Sequence, residues 1–77
     1  MKKNDEVIEY CLIFKDNTDM AEIYSGEFFS EDKSEIDEMF EEYKGQVEQY
    51  CAKKWENEDG EWYETDVKVI YDYRRDK

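Results

Sequence analysis

Residues 30–55 read SEDKSEIDEMFEEYKGQVEQYCAKKW, and the fold turns on whether this stretch is one helix. Ile36, Met39, Phe40, Tyr43, Val47, Tyr50, Cys51 and Trp55 recur at three-and-four spacing, the period of a single apolar stripe on a helix. Ser30 is placed to cap it, and Glu31 and Asp32 fall where the positive end of the helix dipole favours carboxylates. Gly45 interrupts the stripe at a cost of about 1 kcal/mol relative to Ala and marks a bend or a close approach to a sheet. The spacing predicts one helix of about 24 residues, roughly 36 Å long.

Upstream, residues 6–14 read as a strand with Ile8, Tyr10, Leu12 and Phe14 on one face and Val7, Cys11 and Ile13 on the other. Apolar residues on both faces point to a central strand. Asp16-Asn17-Thr18-Asp19 has the side-chain chemistry of a turn, and residues 20–29 resume an extended pattern, so the two segments predict a hairpin. Gly26 marks a bulge or the end of that pairing. Downstream, Asp59-Gly60 signals a turn in a polar loop, and residues 62–73 predict a third strand. Its Val67, Val69, Tyr71 and Tyr73 should share one face, with Asp66, Lys68, Ile70 and Asp72 on the other. The expected fold is α+β, in the order β-β-α-β. A three-stranded antiparallel sheet, order 2-1-3, carries one long helix on one face. Residues 1–77 form a single domain, with residues 1–5 and 74–77 as flexible ends.

A chain of 77 residues has a thin core, so every apolar side chain matters. Its net charge is −12, yet aromatics make up 17% of it and proline is absent, which separates it from disordered acidic tails. The cations gather at the ends, as Lys2, Lys3, Arg74, Arg75 and Lys77. Such a field disfavours contact with nucleic acid or anionic membrane and makes basic proteins the natural partners. Cys11 and Cys51 read as reduced, buried thiols, a disulfide from the first strand to the helix being the lesser alternative. No run approaches the roughly 18 apolar residues of a membrane span, and no signal peptide is evident, so the expected location is cytoplasmic.

Two acidic clusters stand out. Glu31, Asp32, Glu35, Asp37, Glu38, Glu41 and Glu42 are relieved only by Lys33, and Glu31, Glu35, Glu38 and Glu42 stack like charges along one helix face. Neighbours four apart rise about 6 Å, close to the spacing of phosphates on a nucleic-acid strand. The plain alternative is a solvated helix face. The second cluster, Glu56, Glu58, Asp59, Glu61, Glu64 and Asp66, contains no Lys or Arg and is interleaved with Trp62 and Tyr63. Aromatics beside carboxylates suit a protein interface, while the plain alternative is a charged loop with its tryptophan folded inward. The residues expected to bind a partner are Glu31, Asp32, Glu35, Glu38, Glu41, Glu42, Glu56, Glu58, Asp59, Glu61 and Trp62.

Other chemistries fit less well. Placing Gly60 at the sixth position of a calcium loop sets Trp55 where the first aspartate belongs and Asp66 where a bidentate glutamate belongs, so no metal or other cofactor is expected. With no histidine, no glycine-rich phosphate loop, no nucleophile beside an evident base and neither cysteine in an electropositive stretch of sequence, the chain does not read as an enzyme. Val7, Cys11, Ile13 and Ile70 leave the outer sheet face apolar enough to make a homodimer a further possibility.

In size, charge and layout the chain resembles small phage-encoded inhibitors that imitate DNA, such as anti-CRISPR proteins and uracil-DNA glycosylase inhibitors. The resemblance rests on the acidic stretch from Glu31 to Glu42, the acidic-aromatic run from Glu56 to Asp66 and the β-β-α-β order. It is a likeness of class, and no functional residue is carried over from it. It implies competition with DNA for a basic groove of a nuclease or DNA-binding protein inside an infected bacterial cell. The alternatives are an immunity or antitoxin-like binder of a basic toxin and a dimeric accessory protein without inhibitory role.

Overall fold

The computed structural model describes residues 5–75. The elements are β1 (Glu6–Phe14), α1 (Asp19–Ile23), β2 (Glu27–Ser30), α2 (Lys33–Tyr43), a 3-10 turn (Lys44–Gln46), β3 (Val47–Glu58) and β4 (Glu61–Asp72). The four strands form one antiparallel sheet in the order β2-β1-β3-β4. This corrects the expected three-stranded sheet with one long helix. Of the ends expected to be flexible, residues 1–4 and 76–77 lie outside the described residues, whereas Arg74 sits 3.7 Å from Glu48.

The correction has a local cause at Glu48. Ile13 pairs with Gln49 and Phe14 with Val47, so Glu48 is an extra residue on β3. That bulge puts Val47 and Tyr50, three residues apart, on the same face of a strand. Cys51 and Trp55, four apart, share the opposite face by ordinary alternation. Together these spacings imitate a helical stripe. The helix itself ends at Tyr43, and Lys44-Gly45-Gln46 turns the chain into β3.

The helix start also differs from expectation. Asp32, not Ser30, caps α2, its Oδ1 accepting from the Ser34 and Glu35 amides at 3.0 and 3.3 Å. Ser30 instead accepts from the Asp32 amide at 3.0 Å. Part of the expected second strand is helical, because Thr18 caps α1 by accepting from the Ala21 amide at 3.2 Å. Met20 of α1 thereby reaches the core, with Leu12, Phe14, Ile36, Val47 and Tyr50.

Asp59 and Gly60 both take positive φ, 55° and 85°, and close the β3–β4 hairpin in two residues. Such a turn matches the twist of the strands it joins. The segment tested as a calcium loop is thus two paired strands, with Asp66 opposite Lys54. Thr65 and Ile70 are extra residues on β4. The second of these shifts the expected alternation: Val67 and Val69 face the side of Lys53 and Cys51, while Tyr71 joins Tyr50 on the helix side. There the Tyr71 and Phe40 rings lie 5.1 Å apart.

Both helices cover only one face of the sheet. On the open face Cys11 and Cys51 are directly opposed partners of β1 and β3, both buried and both free thiols. Cys51 therefore sits on a strand and cannot link β1 to a helix. Burial pushes the Cys11 thiol up to about 12, and the Cys51 thiol beside it adds to the shift. Burial raises Cys51 as well. A thiol raised on folding contributes stability that is complete below the ordinary range near pH 8.5 and fades as pH climbs through the folded value. The urea midpoint should accordingly fall between pH 8.5 and about 12, and fall less in Cys11→Ala/Cys51→Ala. At neutral pH the folded protein should resist iodoacetamide at both thiols and be alkylated at both in urea, as read by intact mass.

Candidate functional site

α2 is held to the sheet by its inner side, where Ile36 is fully buried and Tyr50 of β3 donates to Asp37 Oδ1 at 2.6 Å. Asp37 also pairs with Lys33 Nζ at 2.6 Å. That ammonium first, and the Tyr50 hydroxyl second, hold the Asp37 carboxyl below its usual range. Asp32 is engaged as the cap. The carboxylates left pointing outward are Glu35, Glu38, Glu41 and Glu42, all exposed. None of the four has a cation within salt-bridge distance among the described residues. Glu35, Glu38 and Glu42 line a shallow hollow of about 230 Å³ with Met39 and Tyr43, and the neighbouring Glu42 carboxylate raises the Tyr43 phenol.

The chain's own cations are directed elsewhere. Lys54 lies 2.7 Å from Glu6 and 3.9 Å from Glu56, and Lys53 lies 3.9 Å from Glu64. Lys15 Nζ donates to the Gly45 carbonyl at 2.9 Å and stands over the Tyr73 ring, 3.6 Å from its centroid. Lys44 stands over Phe40 and Tyr71. Among the described residues, the outward ridge of α2 is therefore left without a paired cation.

The second cluster lies on the β3–β4 hairpin. Glu58, Asp59 and Glu61 are exposed at its tip, Glu61 accepting from the Tyr63 hydroxyl. Trp62 is 46% exposed, so it is not folded into a core. The two clusters do not form one surface. Lys33, at the start of α2, shares a hollow with Ala52, and the six remaining residues of β3, Lys53 to Glu58, separate Ala52 from Asp59, about 23 Å of strand. The rest of α2 continues toward the 3-10 turn that feeds the start of β3, the end opposite the hairpin tip. The structure thus separates Glu35, Glu38, Glu41 and Glu42 from Glu58, Asp59 and Glu61. Glu31 belongs to neither, lying beside Trp62 in a cleft with Val7, Glu9 and Trp55.

Glu9 and Trp55 escaped the sequence reading because Trp55 was assigned to a helix. Only the pairing of Val7 with Trp55 and of Asn57 with Trp62 brings them together. Among the described residues no group of three or more His, Cys, Asp or Glu is placed to hold a metal, and no helix is long and apolar enough to cross a membrane. Compared with known proteins, the chain matches no family model, no curated protein and no solved structure.

Proposed function

We propose that this chain is an acidic binding protein that docks on a basic groove of a nuclease or DNA-binding protein, occupying the place of the nucleic-acid backbone. One observation carries the reading: the outward ridge of α2 presents Glu35, Glu38, Glu41 and Glu42 exposed, with no cation at salt-bridge distance among the described residues. Four exposed carboxylates within two turns repel one another by a few tenths of a kcal/mol per pair, and a row of Arg and Lys would relieve that repulsion. The α2 helix is short, about 16 Å, so it matches the phosphates of a few nucleotides and not a long duplex.

The test is competition. A basic nuclease captured by the protein at 50 mM salt should lose it at 500 mM, and duplex DNA should displace it in proportion to its own affinity. Glu35→Gln/Glu38→Gln/Glu42→Gln should weaken capture at least tenfold. Capture that is indifferent to salt, to DNA or to the triple substitution would refute the reading.

A further inference from the structure

The open face of the sheet ends, toward the hairpin, in a cleft of unusual chemistry. Val7 of β1 faces Trp55 of β3, and two residues further along β3 Asn57 faces Trp62 of β4, so both indoles rise from the same side of the sheet. Glu9 follows Val7 on that side, and Glu31 enters from the link between β2 and α2. These five residues line a solvent-open cleft of about 290 Å³. Trp55 and Trp62 are the chain's only tryptophans.

The lining selects the charge of the occupant. An indole face carries negative electrostatic potential and attracts a cation within about 6 Å, more strongly than the other aromatic rings do. Glu9 and Glu31 have no ion pair among the described residues, and both border the cleft. Lys53 is opposite Glu9 in register, but its ammonium is 3.9 Å from Glu64 and 5.8 Å from the Phe29 ring centroid, and it is not part of the cleft wall. An anion would meet two carboxylates, and a neutral apolar group would strip water from them without replacing it.

The size and shape select further. A cleft just below the usual range for ligand pockets suits one long side chain better than a cofactor. A guanidinium is planar and weakly hydrated, stacks on an indole and presents forked N–H donors to a carboxylate. An ammonium is a compact, strongly hydrated point charge. Tryptophan and arginine are also the residues that dominate binding at protein interfaces.

We propose that the cleft of Val7, Glu9, Glu31, Trp55 and Trp62 binds an arginine side chain of a protein partner. The proposal rests on the reading above that the partner is basic, but it places an anchor on the sheet, apart from the α2 ridge.

Both indoles line the site, so intrinsic fluorescence reports it directly. The full chain is titrated with a glycine-serine heptapeptide carrying one central arginine, with the same peptide carrying citrulline, which is neutral and nearly isosteric, and with the lysine version. The arginine peptide should shift tryptophan emission saturably, the lysine peptide several-fold more weakly, and the citrulline peptide not at all. Glu9→Gln/Glu31→Gln should weaken the arginine response at least tenfold, and Trp62→Ala should weaken it comparably, with Trp55 left as the reporter. Glu38→Gln/Glu42→Gln on α2 should leave it unchanged. Equal responses to arginine and citrulline, no saturable response to arginine, or equal losses from the cleft and α2 pairs would each overturn the assignment. If the cleft fails while competition with DNA through α2 persists, only this inference falls. If the cleft binds arginine and DNA competition is absent, the groove-docking reading falls instead.

Discussion

Tyr50→Ala is expected to lower the unfolding free energy by about 4 kcal/mol, the middle of the range for truncating a buried aromatic. Tyr50 is 2% exposed and sits where β3 meets α2. Its ring lies 5.0 Å from that of Phe40 and 6.4 Å from that of Tyr10, and its hydroxyl donates to Asp37. In a domain of this size such a loss approaches the total stability, so the urea unfolding midpoint should drop toward zero denaturant. A variant with a near-native midpoint would mean that Tyr50 does not hold the helix to the sheet.

Tyr50→Phe separates the ring from the hydroxyl. Burial first, and the bond to Asp37 second, raise the Tyr50 phenol, so it stays protonated and a donor throughout the neutral range. Removing it takes away the second of the two contacts that keep the Asp37 carboxyl low. A carboxyl depressed on folding contributes stability above its ordinary pKa near 3.9, and that contribution disappears as pH falls through the folded value. The difference in urea midpoint between the native chain and Tyr50→Phe should thus be constant above about pH 5 and shrink at lower pH.

Ile36→Ala should cost about 3 kcal/mol, within the range for an aliphatic core residue. Ile36 is fully buried, whereas Met39 and Phe40 are only partly so, and among the residues of α2 it alone is buried in the central cluster. Without it, the remaining inward contacts of α2 are partly open to water. The repulsion among Glu35, Glu38, Glu41 and Glu42 then acts on a helix of 11 residues, too short to persist alone. Loss of helical far-UV signal should precede loss of the sheet in this variant, and a single cooperative transition with the native midpoint would contradict the assignment. Salt should partly restore it by screening the ridge, the opposite of its expected effect on partner binding.

The strands that alternate cleanly were legible in the sequence. Residues 6–14 of β1 show apolar side chains on both faces, and β1 is paired on both edges. The turn at Asp59-Gly60 announced itself in its two residues. Residues 47–55 were misread for a physical reason: the bulge at Glu48 sets Val47 and Tyr50 three apart on one face, so local spacing matched a helix while pairing with β1 made a strand. The five-residue α1 is too short to leave a period, although Thr18 before Asp19 is a capping signal. Glu35, Glu38 and Glu42 could be read as one face because helical spacing within residues 33–43 is genuine, whereas Glu31, read on the same face, precedes the helix. The cleft could not, since Val7, Trp55 and Trp62 meet only through the register of three strands.

The extra residues of β4 bear on how the molecule behaves when concentrated. This strand is an edge, 12 residues long, rich in β-formers and without proline, so its open backbone groups invite pairing with another chain. Thr65 and Ile70 interrupt its ladder at two points, leaving no regular run longer than four residues, with Asp66–Val69 between them. A strand arriving at that edge finds four residues in phase, with Lys68 among them, before the backbone twists away. The chain can therefore present a long hairpin to solvent without offering a seam along which copies of the sheet propagate.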